Sequence, residues 1–242
     1  MKKFISLALV AAMTASLAAC GSSSSSTETS AAADSAAEST ESGDSSASAD
    51  GEFVIGGSGP LTGGAAIYGM AVKNGGQIAV DEINAAGGIN GHKVKWVFED
   101  DEHDAEKALN AYNTLKDAGL QIMVGTVTSG PCLAVVQETA DDNMFQITPS
   151  GSSMDCIKND NVFQVCFTDP NQGLKSAQYI GQAGLAKKVA VIYDSSDTYS
   201  SGIAEAFVAE AKNQPFEVVA NEPFTEATTT DFTVQLQKAK DS

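Results

Sequence analysis

From Phe53 onward, short apolar runs alternate with stretches whose apolar residues recur every three or four positions. Phe53-Val54-Ile55 is an apolar run that ends in glycines. Ala71, Gly75, Ile78, Ala79 and Ile83 follow at helical spacing, and Gly87-Gly88 stops that helix. Val94, Trp96 and Phe98 alternate as a strand. Asp104 is placed to cap a helix with Ala108, Tyr112 and Leu115 on one face, ending near Gly119. Ile122-Met123-Val124 predicts a strand, Leu133, Val136 and Ala140 a helix, and Met144 to Ile147 another strand.

The alternation resumes after a turn-rich stretch. Val162 to Phe167 predicts a strand and 171–183 a helix. Val189 to Tyr193 is a continuous apolar strand, and Ile203, Phe207 and Ala211 share a helix face. Phe216 to Val219 is a strand, and Phe232, Leu236 and Ala239 mark a last helix. Repeated strand–helix units with short buried strands predict parallel sheets flanked by helices, an α/β fold. Such sheets bind ligands beyond the carboxyl ends of their strands. That points to the loops at 57–68, 99–104, 126–132, 148–153, 167–172 and 194–200.

The first fifty-one residues follow other rules. Lys2 and Lys3 precede an apolar run from Phe4 to Ala12, and Leu17-Ala18-Ala19 leads into Cys20. This is the layout of a secretory signal, too short to span a bilayer. Its Leu-Ala-Ala-Cys ending resembles a bacterial lipobox, which implies cleavage after residue 19 and lipid on the Cys20 sulfur. The expected location is the cell surface or periplasmic side, lipid-anchored to the cell membrane. Residues 20–51 are almost all Ser, Ala, Thr, Glu, Asp and Gly. With so little apolar surface to offset ordering entropy, a disordered tether is expected.

The chain carries a net charge of −17 and a pI near 4.3. Nucleic acid as a partner is excluded on this ground, because its recognition needs a basic footprint. Every basic side chain is Lys; the sequence has no Arg. A guanidinium clamp on a carboxylate is therefore absent, leaving Lys, hydroxyls and backbone N–H groups for any bound acid. Beyond Cys20 stand Cys132, Cys156 and Cys166. Cys156 could pair with Cys166 or with Cys132, or all three could be small buried thiols.

Several chemical readings fail on spacing. Gly57-Ser58-Gly59-Pro60-Leu61-Thr62-Gly63-Gly64 lacks the dinucleotide spacing, and Pro60 removes an N–H from the turn. The acidic run Glu99–Glu106 lacks the spacing and glycine of a calcium loop, and better suits the start of a helix. His92 and His103 read as exposed loop residues. No metal-ligand spacing, cofactor motif or nucleophile elbow stands out, so neither a metal, a cofactor nor an enzyme is expected.

Gly59-Pro60-Leu61-Thr62-Gly63, Tyr68-Gly69 and Ala79 through Gly91 resemble the branched-chain amino-acid binding proteins of ABC importers. The likeness continues through Glu99-Asp100-Asp101, Thr128-Ser129, Ile147 to Ser150, Asp169 to Gly173 and Asp231-Phe232. It implies the two-lobe type I periplasmic-binding-protein fold, with lobes joined by hinge strands and closing on a ligand in the cleft. The first lobe would cover 52–168 and a partial second lobe 169–242. Resembling proteins continue well past the point where Ser242 stands, so the second lobe is expected to be incomplete.

The resemblance also implies residue roles. Ser129, Ser150 and Ser152 would hold the α-carboxylate and α-ammonium of an amino acid. Tyr68 would wall the cleft, Tyr199 would reach across from the second lobe, and Asp169 would lie near the hinge. Taken without the resemblance, Ser129 and Ser152 could be plain caps or turns, Tyr68 a core residue and Tyr199 a surface aromatic. Family members often carry a cysteine pair near positions 103 and 128, where this chain has His103 and Thr128. The implied partners are a permease with its ATPases, and the implied task is amino-acid import. A sensory receptor of the same fold for amino acids or amides is the alternative.

Overall fold

The computed structural model describes residues 51–242. The signal, Cys20 and the tether lie outside the described residues. The elements are β1 (Glu52–Gly59), α1 (Ala66–Ala85), β2 (Lys93–Asp100), α2 (Ala105–Asp117), β3 (Ile122–Val124), α3 (Ser129–Asp141) and β4 (Gln146–Thr148). They continue with β5 (Val162–Gln164), α4 (Asp169–Ala183), β6 (Lys188–Asp194), α5 (Thr198–Ala211), β7 (Glu217–Phe224) and α6 (Thr233–Asp241). Short 3-10 turns occupy Met154–Ile157 and Glu226–Thr228.

Strands β1 to β5 form one parallel sheet in the order β2-β1-β3-β4-β5, and β6 pairs in parallel with β7. The order reverses at β1, which opens a crevice at the carboxyl ends of β1 and β3. The glycines of β1 serve this sheet. A Cβ on Gly57 would stand 1.8 Å from the Val124 carbonyl oxygen, so only glycine lets β1 and β3 lie this close.

The core of this sheet packs Tyr112, Leu115 and Met123 with Ala108, Leu120 and Val135. A second cluster joins Cys132, Val136, Cys156 and Val162. Asp104 caps α2 by accepting the Lys107 N–H at 2.9 Å, as its position predicts. Around β6 and β7, Ala177, Phe207, Ala211 and Phe216 form a separate core.

Three sequence expectations are corrected. The face expected of α1 is largely exposed, with Ile78 at 60%, whereas Gly69 and Val80 are buried. A Cβ on Gly69 would stand 1.9 Å from the Pro60 carbonyl oxygen. Close backbone approach, not side-chain size, selects that face. The strand expected over 162–167 stops at Gln164, leaving Val165 and Phe167 exposed beyond the sheet. His92 is half-buried rather than exposed, its ring edge-to-face with Phe53 at 5.4 Å.

Candidate functional site

The loops beyond the sheet's carboxyl end meet α4 and α5 around a cavity of about 320 Å³. Tyr68, Ser129, Ser150, Ser152 and Tyr199 all line it. Asp169 does not; it lies at the first turn of α4 and lines a neighbouring cavity with Ser153, Asp155 and Gly202. Most of the lining surface of the first cavity is carbon, from Ala65, Tyr68, Val127, Phe167 and Tyr199 among others.

Ser129 is the first residue of α3 and is only 3% exposed. Its Oγ accepts the backbone N–H of Ser152 at 3.1 Å and of Ser153 at 3.2 Å. Both lone pairs are thereby engaged, and the hydroxyl proton is left as the group it can donate. The hydroxyl does act as a loop anchor, and that anchoring orients it as a donor. Ser150 donates its own hydroxyl to the Val127 carbonyl at 2.6 Å, tying the 148–153 loop to the strand end. Tyr199 donates to Gln172 Oε1 at 3.3 Å.

The start of α3 is open. Thr128 stands at the N-cap with extended backbone but makes no side-chain cap bond, and the first turn holds no acidic residue. Pro131 supplies no N–H, so the unpaired donors of this turn are the amides of Ser129 and Gly130. The helix dipole adds positive character there. Two amides, one hydroxyl proton and surrounding carbon suit a small molecule with a carboxylate at one end and an apolar body at the other.

A buried polar layer supports this floor. Gln146 donates to the Gly125 carbonyl at 2.7 Å and accepts from Thr139 Oγ1 at 2.7 Å, and Thr148 donates to the Thr126 carbonyl at 2.8 Å. Behind Gly151 lie the thiols of Cys132, Cys156 and Cys166, all free. Cys132 and Cys156 lie in the same buried cluster, and their interaction lowers the pKa of the Cys132 thiol and, with burial, raises that of Cys156.

The acidic run of the second loop also has a structural task. Asp100 accepts Leu61 N–H at 2.7 Å, the Thr62 hydroxyl at 2.8 Å and Glu102 N–H at 2.9 Å. Burial opposes its charge, but these bonds prevail and hold it below the usual range. Asp101 is fully buried, and burial pushes its carboxyl up to about 6. Asp169 is 1% exposed with neither oxygen hydrogen-bonded, and burial raises it too. Among the described residues, no group of three or more His, Cys, Asp or Glu is placed to hold a metal ion.

His103, Thr128, Gln172 and Asp197 also line the cavity, unassigned by residue-level reasoning. Each falls inside a loop that the strand pattern had marked. Cys166 lines it from outside those loops, because β5 ends earlier than its apolar pattern suggests.

Residues 52–242 match the family model described as periplasmic binding protein. The Leu/Ile/Val-binding protein BraC3 of Rhizobium johnstonii is 36% identical over 179 residues, 73% of this chain and 48% of that protein. A Leu/Ile/Val-binding protein homolog of Brucella melitensis is 36% identical over 166 residues, covering 68% and 45%. The branched-chain amino-acid transporter substrate-binding protein LivJ of Streptococcus pneumoniae, solved with isoleucine, superposes with a TM-score of 0.72 at 33% identity. That match covers 79% of this chain and 55% of LivJ. The chain thus spans about half the length of the relatives it matches. With sheet order, family model and superposition in agreement, the chain belongs to the periplasmic binding protein family and carries part of its two-lobe type I fold.

Proposed function

We propose that this chain acts in an extracytoplasmic solute-binding lipoprotein of an ABC importer, holding an amino acid, branched-chain first, for delivery to a permease and its ATPases. The observation that carries this reading is Ser129: a buried hydroxyl with its lone pairs taken, beside two open amides at the start of α3. That arrangement favours a carboxylate, and the carbon walls of the cavity favour an aliphatic body. The names and bound isoleucine of the relatives support the same class.

In this reading Tyr68, Ser129, Ser150, Ser152 and Tyr199 contact the ligand, and Asp169 sets the position of the 152–153 segment through its N–H bond to the Ser152 carbonyl at 2.9 Å. Residues 1–19 serve as signal, 20–51 as tether with lipid on Cys20, 52–168 as first lobe and 169–242 as part of the second. Calorimetry of the full-length protein against the natural amino acids is expected to show tightest binding to Leu, Ile or Val. Absence of heat with every amino acid overturns the proposal. Incorporation of labelled fatty acid, lost on Cys20→Ala, tests the anchor separately.

A further inference from the structure

His103 is placed by two successive residues in the left-handed region, Glu102 at φ 50° and His103 at φ 63°. Its backbone N–H donates to Asp101 Oδ1 at 3.0 Å, which fixes the turn. Its ring crosses to the α3 loop, where Nδ1 and Thr128 Oγ1 lie 2.9 Å apart in a hydrogen bond. Both side chains line the cavity.

The consequence lies in what Thr128 does not do. Its backbone, at φ −115° and ψ 154°, is that of an N-cap, and threonine at this position ordinarily turns its oxygen onto the N2 or N3 amide. Here N3 is Pro131, so the Gly130 amide is the sole target. The bond to His103 holds the hydroxyl elsewhere, and no cap bond forms. We propose that His103 is a positioning residue for the ligand's anionic end: it holds the Thr128 hydroxyl off the start of α3, so the Gly130 N–H stays free for the ligand. This rests on the amino-acid reading given above for the consequence, but not for the bond itself.

The physical competition is between an internal cap and the ligand for one N–H. A threonine cap is worth about 1 kcal/mol, and a ligand that must displace it binds about 3–10-fold more weakly. The expected order of affinities therefore has an unusual form. Loss of the histidine weakens binding, and further loss of the threonine hydroxyl restores it.

The test uses the full-length protein as wild type, His103→Ala, Thr128→Val and the double variant, with L-leucine as probe. Amide hydrogen exchange at Gly130 is measured without ligand, and leucine affinity by calorimetry. Gly130 is expected to exchange freely in wild type, to gain protection in His103→Ala and to lose it again in the double variant. Affinity is expected to fall about 3–10-fold in His103→Ala and to return near wild type in the double variant. Gly130 exchange unchanged by His103→Ala overturns the inference, whatever the ligand. A loss of affinity that the second substitution does not restore also overturns it, since His103 then touches the ligand directly. If wild type shows the expected exchange pattern but ignores leucine and every other amino acid, the functional reading fails while the Thr128 diversion stands. Thermal melts of all four proteins separate these effects from unfolding.

Discussion

At the residue scale, Ser129 connects local chemistry to binding. Its oxygen satisfies two amides of the facing loop, which leaves its proton to donate, and the residue lines the cavity. In the full-length protein Ser129→Ala is expected to weaken amino-acid binding by about 1.5–3 kcal/mol, the scale of a hydrogen bond to a charged group. It also leaves the Ser152 and Ser153 amides without their acceptor, so a lower Tm should accompany the loss. Wild-type affinity in a folded Ser129→Ala protein would remove the carboxylate assignment. Asp101 makes a second case. Its folded pKa of about 6 lies above the ordinary value of 3.8, so the folded state binds the extra proton between those values. Stability should therefore rise as pH falls from about 6 to 4, and fall on the return to neutral pH. Asp101 Oδ2 and the neighbouring Ser58 Oγ are both buried without a partner. Asp101→Asn removes the buried charge and offers an N–H to Ser58 while keeping an acceptor for His103. It should stabilise the protein at pH 7 by about 1–3 kcal/mol and flatten the slope between pH 4 and 6, as read by urea melts. A destabilised variant with an unchanged slope counts against this account.

Individual side chains were unevenly legible. The Ser129 position could be marked in the sequence because it follows a short strand and opens a helix. Its two loop amides could not, since Ser152 and Ser153 are more than twenty positions away and meet it only in the fold.

At the element scale, glycine decides where α1 sits. Its interior glycines ordinarily cost a helix about 0.5–1 kcal/mol each relative to alanine. Gly75 meets nothing within 4 Å of an added Cβ, so Gly75→Ala should stabilise by about that amount. A Cβ added at Gly69 would stand 1.9 Å from the Pro60 carbonyl oxygen, so the steric term wins and the sign reverses. Gly69→Ala should destabilise by about 1–3 kcal/mol, the range for overpacking, and displace the loop leading to Tyr68. Matching urea midpoints for the two variants would show that the helix is not held this closely. The helical spacing of α1 was readable from its residues, but its buried face was not. Spacing reports apolar side chains, and this contact is made where there are none.

At the scale of the whole molecule, two parallel sheets carry their own cores. The second has two strands, β6 and β7, among the described residues. Two strands are few for independent stability, and their outer edges can pair with other chains. On the first lobe, α1 exposes Ile67 at 73%, Met70 at 42% and Ile78 at 60% along one side. A polypeptide of residues 52–242 is therefore expected to self-associate, more strongly as salt screens its net negative charge. It should also bind amino acids far more weakly than a complete relative of about twice its length, because an ammonium group meets few partners in this cavity and is costly to desolvate. Sedimentation and calorimetry at low and high salt test both points. A monodisperse, cooperatively melting polypeptide with micromolar amino-acid affinity would refute them.

The alternation of apolar runs and helical spacing determined by itself the α/β class, the order of elements and the six loops that could carry a site. These follow from local periodicity, which each segment carries alone. The acidic balance and lack of arginine likewise fixed what kind of grip an acid could receive. Only the tertiary structure decided which side of α1 is buried, where β5 stops and that Asp169 lies beside the cavity rather than in it. It also decided that Thr128 turns to His103 instead of capping α3. Those outcomes depend on distances between segments far apart in the chain, set by close packing that no single segment encodes.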